Sequence, residues 1–204
     1  NGDTNHVNLE SVIRWWSRQR TPESTAVTWQ LWDGIANDTE QRRLLLPVLD
    51  HWRWCRKTNI PTTESCYDVW QRVQLFPSIR LYSILLSAIA VSDADEPGIV
   101  LAYEILQHYK EHVNETTREG EDEDCSVLWN TVFTVLAKKG TGRPGVIAEA
   151  LNLLKQTEPN PRMYATVLEV IGSNAAHDTS APEYASALFH KLESGNFDDV
   201  ESMT

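Results

Sequence analysis

Only three cysteines, Cys55, Cys66 and Cys125, occur in the chain, an odd number with no Cys-x-x-Cys among them. That composition speaks against a disulfide framework or a zinc ribbon and fits a reducing compartment. Positive charge is scarce as well: 18 Lys and Arg face 29 Asp and Glu, giving a net charge of −11 and a pI near 4.9. Such a balance argues against non-specific attraction to nucleic acid or to an anionic membrane, and it leaves room for a local basic groove. No apolar run approaches the roughly 18 residues of a membrane span. With 41% hydrophobic residues and a mean hydropathy of −0.39, the expectation is a soluble globular chain with no membrane partner. No signal-peptide pattern is present, which leaves the compartment open.

Catalytic arrangements are missing too. The six histidines, His6, His51, His108, His112, His177 and His190, form no His-Glu-x-x-His motif and no His-x-Glu followed by a Cys-x-x-Cys. His108 and His112 lie four apart on one helix face, without an evident third metal ligand. No nucleophile elbow frames a serine. Gly140-Thr-Gly-Arg-Pro-Gly145 satisfies the Gly-x-Gly-x-x-Gly spacing, yet helical stripes occupy the places where the two strands of a dinucleotide fold belong. The loop reads as a turn joining two helices. The expectation is a binding protein rather than an enzyme, with no metal and no small-molecule cofactor.

What the chain does have is repetition. Apolar residues at i, i+3, i+4 and i+7, the inward stripe of an amphipathic helix, recur along its 204 residues. A first set comprises Leu9/Val12/Ile13/Trp16, Leu45/Val48/Leu49/Trp52, Tyr82/Leu85/Leu86/Ile89, Trp129/Val132/Phe133/Leu136 and Tyr164/Val167/Leu168/Ile171. A second comprises Thr28/Leu31/Trp32/Ile35, Cys66/Val69/Trp70/Val73, Ala102/Ile105/Leu106/Tyr109, Ala150/Leu153/Leu154 and Ala185/Leu188/Phe189/Leu192. Roughly six such matches would arise by chance in a chain of this composition, so the spacing decides. From first to second anchor the interval stays at 19 to 21 residues in every unit, and first anchors advance by 36, 37, 47 and 35. The long step holds an acidic insertion at 114–124, including Glu119-Gly-Glu-Asp-Glu-Asp124, with nothing apolar to bury. Helix-start chemistry agrees with the placement, with capping-box spacing at Asn37/Glu40 and Ser180/Glu183 and Pro22 after Thr21.

One helix pair cannot cover its own stripe, so successive pairs must stack. The expected fold is an all-α, single-domain α-solenoid of about five antiparallel helix pairs, at 8–36, 38–76, 78–113, 125–157 and 160–194.

The units resemble the pentatricopeptide repeat family, a helix pair of about 35 residues. Val127-Leu-Trp-Asn-Thr-Val-Phe, closing on Lys138-Lys-Gly140, is similar to that family's Val-Thr-Tyr-Asn-Thr-Leu-Ile first helix. Pro77-Ser-Ile-Arg-Leu-Tyr-Ser-Ile-Leu-Leu86 and Pro159-Asn-Pro-Arg-Met-Tyr-Ala-Thr-Val-Leu168 resemble its Pro-Asp-Val-x-Thr-Tyr-Asn-Thr-Leu opening. Glu149-Ala-Leu-Asn-Leu-Leu and Tyr184-Ala-Ser-Ala-Leu-Phe resemble its second helix. Tetratricopeptide repeats fit less well, because Phe133, Leu86 and Leu168 stand where a small residue belongs. The likeness covers Ser78 to Glu193 best, and the turns inside the units look longer than the family's.

The resemblance implies a right-handed superhelix, a mitochondrion or plastid, and single-stranded RNA as partner, one base per repeat read by two or three side chains. Carried over residue by residue, the base-facing polar positions are Ser83 and Asn130, with Ala165 in the last unit; Asn160 closes the Asn130 unit. Asn130 with Asn160 then implies a pyrimidine, since both amides donate and accept. Arg80, Val127 and Arg162 are the implied residues flanking bases. Stacking supplies roughly 1–3 kcal/mol per base, whereas nanomolar affinity needs about 12 kcal/mol. Weak binding, or binding as part of a longer protein, follows.

A protein partner is the alternative, with an acidic solenoid face suited to a basic surface. Seven of eight tryptophans lie in the first 70 residues, and Trp15, Trp29 and Trp54 fall off the inward stripe as candidate contacts. Packing between neighbouring units is the competing use for those rings.

Overall fold

The computed structural model describes residues 9–60, 62, 64–92, 96–116 and 125–194. Among them it is all-helical, without strands. In order come α1 (Leu9–Gln19), α2 (Pro22–Asp33), α3 (Asp38–Lys57), α4 (Cys66–Val73), α5 (Ile79–Ile89), α6 (Glu96–Thr116), α7 (Ser126–Lys139), α8 (Val146–Leu154), α9 (Pro161–Asn174) and α10 (Ala181–Ser194). Each of the ten apolar stripes falls on its own helix, first and second sets alternating as expected, except that Ile35 lies two residues beyond the end of α2. None of the described helices is long and apolar enough to cross a membrane.

Local chemistry sets the helix starts. At α2 the Thr21 side chain accepts from the Ser24 amide while Ser24 Oγ accepts from the Thr21 amide, and Pro22 occupies the first turn. Asn37 caps α3 on the Glu40 amide. Ser65 and Asp68 close a capping box on α4 that the stripe pattern did not reveal. The expected cap at Ser180 takes another form: its amide donates to Asp178 at 2.9 Å, one residue before α10 begins. Pro47 lies inside α3 and withholds a donor from the Arg43 carbonyl, yet the helix runs on to Lys57, 20 residues in all.

The chain divides into two compact units, Asn1–Ala88 and Ile89–Thr204. In the first, α1, α2 and α3 pack on one another. Trp32 is the hub: its ring meets Trp29 edge-on at 5.8 Å and Phe76 at 6.2 Å, and its Nε1 donates to the Gln41 carbonyl at 2.8 Å. Arg72 of α4 holds Asp33 of α2 through two hydrogen bonds of 3.0 and 2.9 Å.

The α2 stripe requires a correction. Rather than Thr28/Leu31/Trp32/Ile35 alone, the helix buries Ser24, Thr25, Thr28, Trp29 and Trp32 and leaves Leu31 half-buried. These hydroxyls enter the core cheaply because the helix itself satisfies them. Thr28 Oγ1 donates to the Ser24 carbonyl at 2.7 Å and Thr25 Oγ1 to the Thr21 carbonyl at 3.2 Å.

In the second unit α7 lies along α9, with α6 against α7 and both α8 and α10 against α9. Its core is aliphatic and aromatic, built on Val132, Phe133, Leu136, Val146, Leu154, Tyr164, Val167 and Ile171. Polar ties close the periphery. Tyr103 of α6 donates to the Glu149 carboxylate of α8 at 2.7 Å, which also accepts from Arg143 at 2.6 Å, and Lys139 donates to the Ser92 carbonyl. The Gly140–Gly145 segment is a turn joining α7 and α8. A Cβ on Gly140 would sit 2.5 Å from Val146, and Gly145 adopts φ 80°, where a side chain is strained. Helix α6 runs to Thr116, three residues into the expected acidic loop, and the rest of that loop lies outside the described residues.

Candidate nucleic-acid interface

The positions implied to read bases follow the aromatic residue early in their helices. Asn130 comes just after Trp129 on α7 and is 7% exposed, with a buried Oδ1 that has no hydrogen-bond partner. Ser83 follows Tyr82 on α5, half-buried, and its Oγ is likewise buried and unpartnered. A buried carbonyl or hydroxyl without a partner costs roughly 1–3 kcal/mol, so two such atoms at equivalent helix positions are notable. Ala165, the third equivalent, is exposed on α9.

Asn160 has a different task. Its Oδ1 accepts from the Met163 amide at 2.9 Å and caps α9, so that oxygen is already engaged. No hydrogen bond joins Asn160 to Asn130, although α7 and α9 lie side by side. Arg80 and Arg162 are exposed in the first turns of α5 and α9, and Val127 is half-exposed in the first turn of α7. The flanking positions are therefore open while the reading position is recessed.

The tryptophan candidates separate sharply. Trp15 is 54% exposed, its ring edge-on to Trp16 at 4.9 Å. Trp29 is 1% exposed, which corrects its expected place among partner contacts: it packs on Trp32, and the Arg72 guanidinium covers it at 4.8 Å. Trp54 is half-buried beneath the Arg20 guanidinium at 4.4 Å. Leu75 after α4 is an exposed apolar side chain, and so is Phe189 of α10 at 54%, which corrects its expected place on the inward stripe: there Leu188 is buried while Ala185 and Leu192 are half-buried.

Sequence spacing also missed a buried polar cluster in the first unit. His51 Nε2 lies 3.0 Å from Ser24 Oγ, and Thr25 Oγ1 lies 3.3 Å from Cys55 Sγ. Burial pushes His51 below its ordinary pKa, the Arg20 charge adds to this, and the Ser17 carbonyl opposes it. Burial pushes the Cys55 thiol up. Ser24 and Cys55 have no exposed surface, so this serine–histidine contact knots α2 to α3 instead of presenting a nucleophile. On α6 the His108 and His112 rings stack at 4.0 Å and 14°. Parallel rings do not aim their nitrogens at one point, and the described residues hold no group of three ligands that fits a metal ion.

No family model, curated protein or solved structure matches this chain.

Proposed function

We propose that the chain is a helical-repeat binding module, a right-handed α-solenoid of antiparallel helix pairs, and that it binds single-stranded RNA through first-helix residues. The alternation of ten helices supports the repeat arrangement, as do the packing of α1 against α3 and of α7 against α9. The observation that carries the RNA reading is Asn130. It is a buried amide whose oxygen lacks a partner, at the position the repeat resemblance assigns to base reading, with Val127 open one turn earlier. A protein ordinarily pairs such an atom internally, and one left unpaired accepts a hydrogen bond from a ligand at no cost to an existing bond.

The test is fluorescence anisotropy with random and pyrimidine-rich single-stranded RNA at about 50 and 200 mM salt, with duplex DNA as control. Saturable, pyrimidine-favouring binding is expected to survive the higher salt and to fall roughly tenfold in Asn130→Leu, the loss of one ligand hydrogen bond. The same substitution removes an unpaired buried carbonyl, so stability in urea should hold or rise. Equal, salt-labile binding to every polymer, or binding that Asn130→Leu leaves intact, defeats the reading. The exposed Trp15 then favours the second reading, a protein-binding scaffold, since large exposed aromatics anchor protein interfaces.

A further inference from the structure

The first unit contains an open cleft of about 320 Å³ between the C-terminal half of α1 and the middle of α3. Arg14 and Arg18 line it from α1, Arg20 from the turn before α2, and Asp50, His51 and Trp54 from α3. In a chain where acids outnumber bases 29 to 18, three guanidiniums thus face one carboxylate.

That carboxylate does not neutralise them. Arg14 commits its Nε to Glu10 at 2.8 Å and no hydrogen bond links it to Asp50. Arg18 and Arg20 make no side-chain hydrogen bond, so their donors are available. Arg20 is also held in place. Its guanidinium carbon lies 4.4 Å from the centre of the Trp54 ring, a cation–π contact that consumes no N–H donor in a hydrogen bond. Its backbone sits at φ 54°, left-handed territory where glycine fits without strain. A strained backbone, a pinned guanidinium and two unpaired forks at one cleft make a binding arrangement that spacing and stripes do not reveal.

We propose that this cleft binds the phosphate group of a phosphate ester, with Arg18 and Arg20 gripping its oxygens and Arg14 at the rim. Planar guanidinium forks match phosphate oxygens in paired hydrogen bonds, and the cleft has room for more than the bare ion. The site uses first-unit residues alone and stands whether or not Asn130 reads a base. Two sources supply the same group: a free phosphomonoester such as a nucleotide, or the phosphodiester backbone of RNA.

His51 provides an internal reporter. Its ring meets Ser24 and Thr25 from α2, Cys55 from α3 and the Ser17 carbonyl from α1, the Arg20 charge acts on it from the turn, and Arg14, Arg18 and Asp50 line the same cleft. A bound anion offsets the Arg20 charge, so the ring takes up a proton at higher pH when the cleft is filled.

The experiment is an NMR titration of the full chain with inorganic phosphate, adenosine monophosphate and a hydroxyl-ended RNA oligonucleotide, at constant ionic strength. The Trp54 indole and the His51 ring should shift saturably with the monophosphate. Arg20→Gly, which relieves the left-handed backbone, should keep or raise the melting temperature while weakening binding roughly tenfold, as should Arg18→Gln without the stability gain. Displacement by hydroxyl-ended RNA identifies the phosphodiester source, and indifference to it identifies the monoester. Asn130→Leu, expected to weaken RNA binding at the base-reading position, should leave the responses to inorganic phosphate and adenosine monophosphate unchanged, which separates this site from that position. No saturable response to any of the three probes, or a response that both arginine variants retain, overturns the proposal.

Discussion

The two units build helices in the same succession from different core chemistry. In the first, tryptophans and hydroxyl residues share the interior: Trp29, Trp32 and Trp52 lie beside Ser24, Thr25, Thr28 and His51. In the second, the interior is mainly Val, Leu and Ile around Phe133, Tyr164 and Trp129, its buried polar residues are Asn130, Thr166 and Asn174, and glycines shape the turn between α7 and α8. The difference shows that a helical stripe can be filled in two ways. Aliphatic side chains fill it by area alone, whereas hydroxyls fill it only when the helix backbone answers their hydrogen bonds. The first unit therefore adds large rings and one polar knot to an aliphatic core that includes Leu44, Leu45, Val48 and Leu49, and the second relies mainly on aliphatic contacts.

The comparison breaks most readily at Trp32. Truncating this side chain removes two edge-on ring contacts and the bond to the Gln41 carbonyl, and Trp32→Ala should cost about 3–5 kcal/mol. Urea unfolding followed by fluorescence measures it. A cost below about 1 kcal/mol, the level of a surface change, would show that the first unit does not depend on its rings. The matching lesion in the second unit is Gly140→Ala. The new methyl meets Val146 at 2.5 Å and the Leu136 carbonyl at 2.6 Å, so the turn must open. Overpacking of this kind costs about 1–3 kcal/mol, a smaller loss because the rest of that core remains intact.

The same contrast explains what the sequence disclosed. All ten helices were legible because the i, i+3, i+4, i+7 stripe reports burial directly wherever apolar residues do the burying, as in Trp129/Val132/Phe133/Leu136. The register of α2 was less legible, since Ser24, Thr25 and Thr28 are buried and a hydrophobic template does not count hydroxyls. The end of α6 was displaced because acidic composition marks solvation, and a helix continues through solvated residues until its hydrogen bonds run out. Of the candidate contacts, Val127 and Arg162 stand open as their places in a first turn imply, while Trp29 fell inside because its helix turns by one position. The arginine cleft could not be read at all. Arg14, Arg18, Arg20 and Trp54 come from two helices and a turn, and only the packing of α1 on α3 brings them together.

The finest test of the comparison is pH, because among the described residues the only buried histidine, His51, belongs to the first unit. His51 is 5% exposed, bonded to Ser24 Oγ at 3.0 Å, and held below its ordinary pKa of 6.5 mainly by burial, with Arg20 adding to the shift. An unfolded chain protonates this ring at about that ordinary value, whereas the folded chain resists until lower pH. The contribution to stability is therefore complete above pH 6.5 and is lost as pH falls from there through the folded value. Each pH unit of that interval costs about 1.4 kcal/mol. Urea midpoints at about pH 7.5 and 5.5, either side of the ordinary histidine value, should fall for the native sequence on acidification. In His51→Gln the midpoint starts lower, because the knot is altered, and falls less, because glutamine does not titrate. An equal fall in both proteins would assign the acid sensitivity to carboxylates elsewhere and make the knot a matter of packing alone.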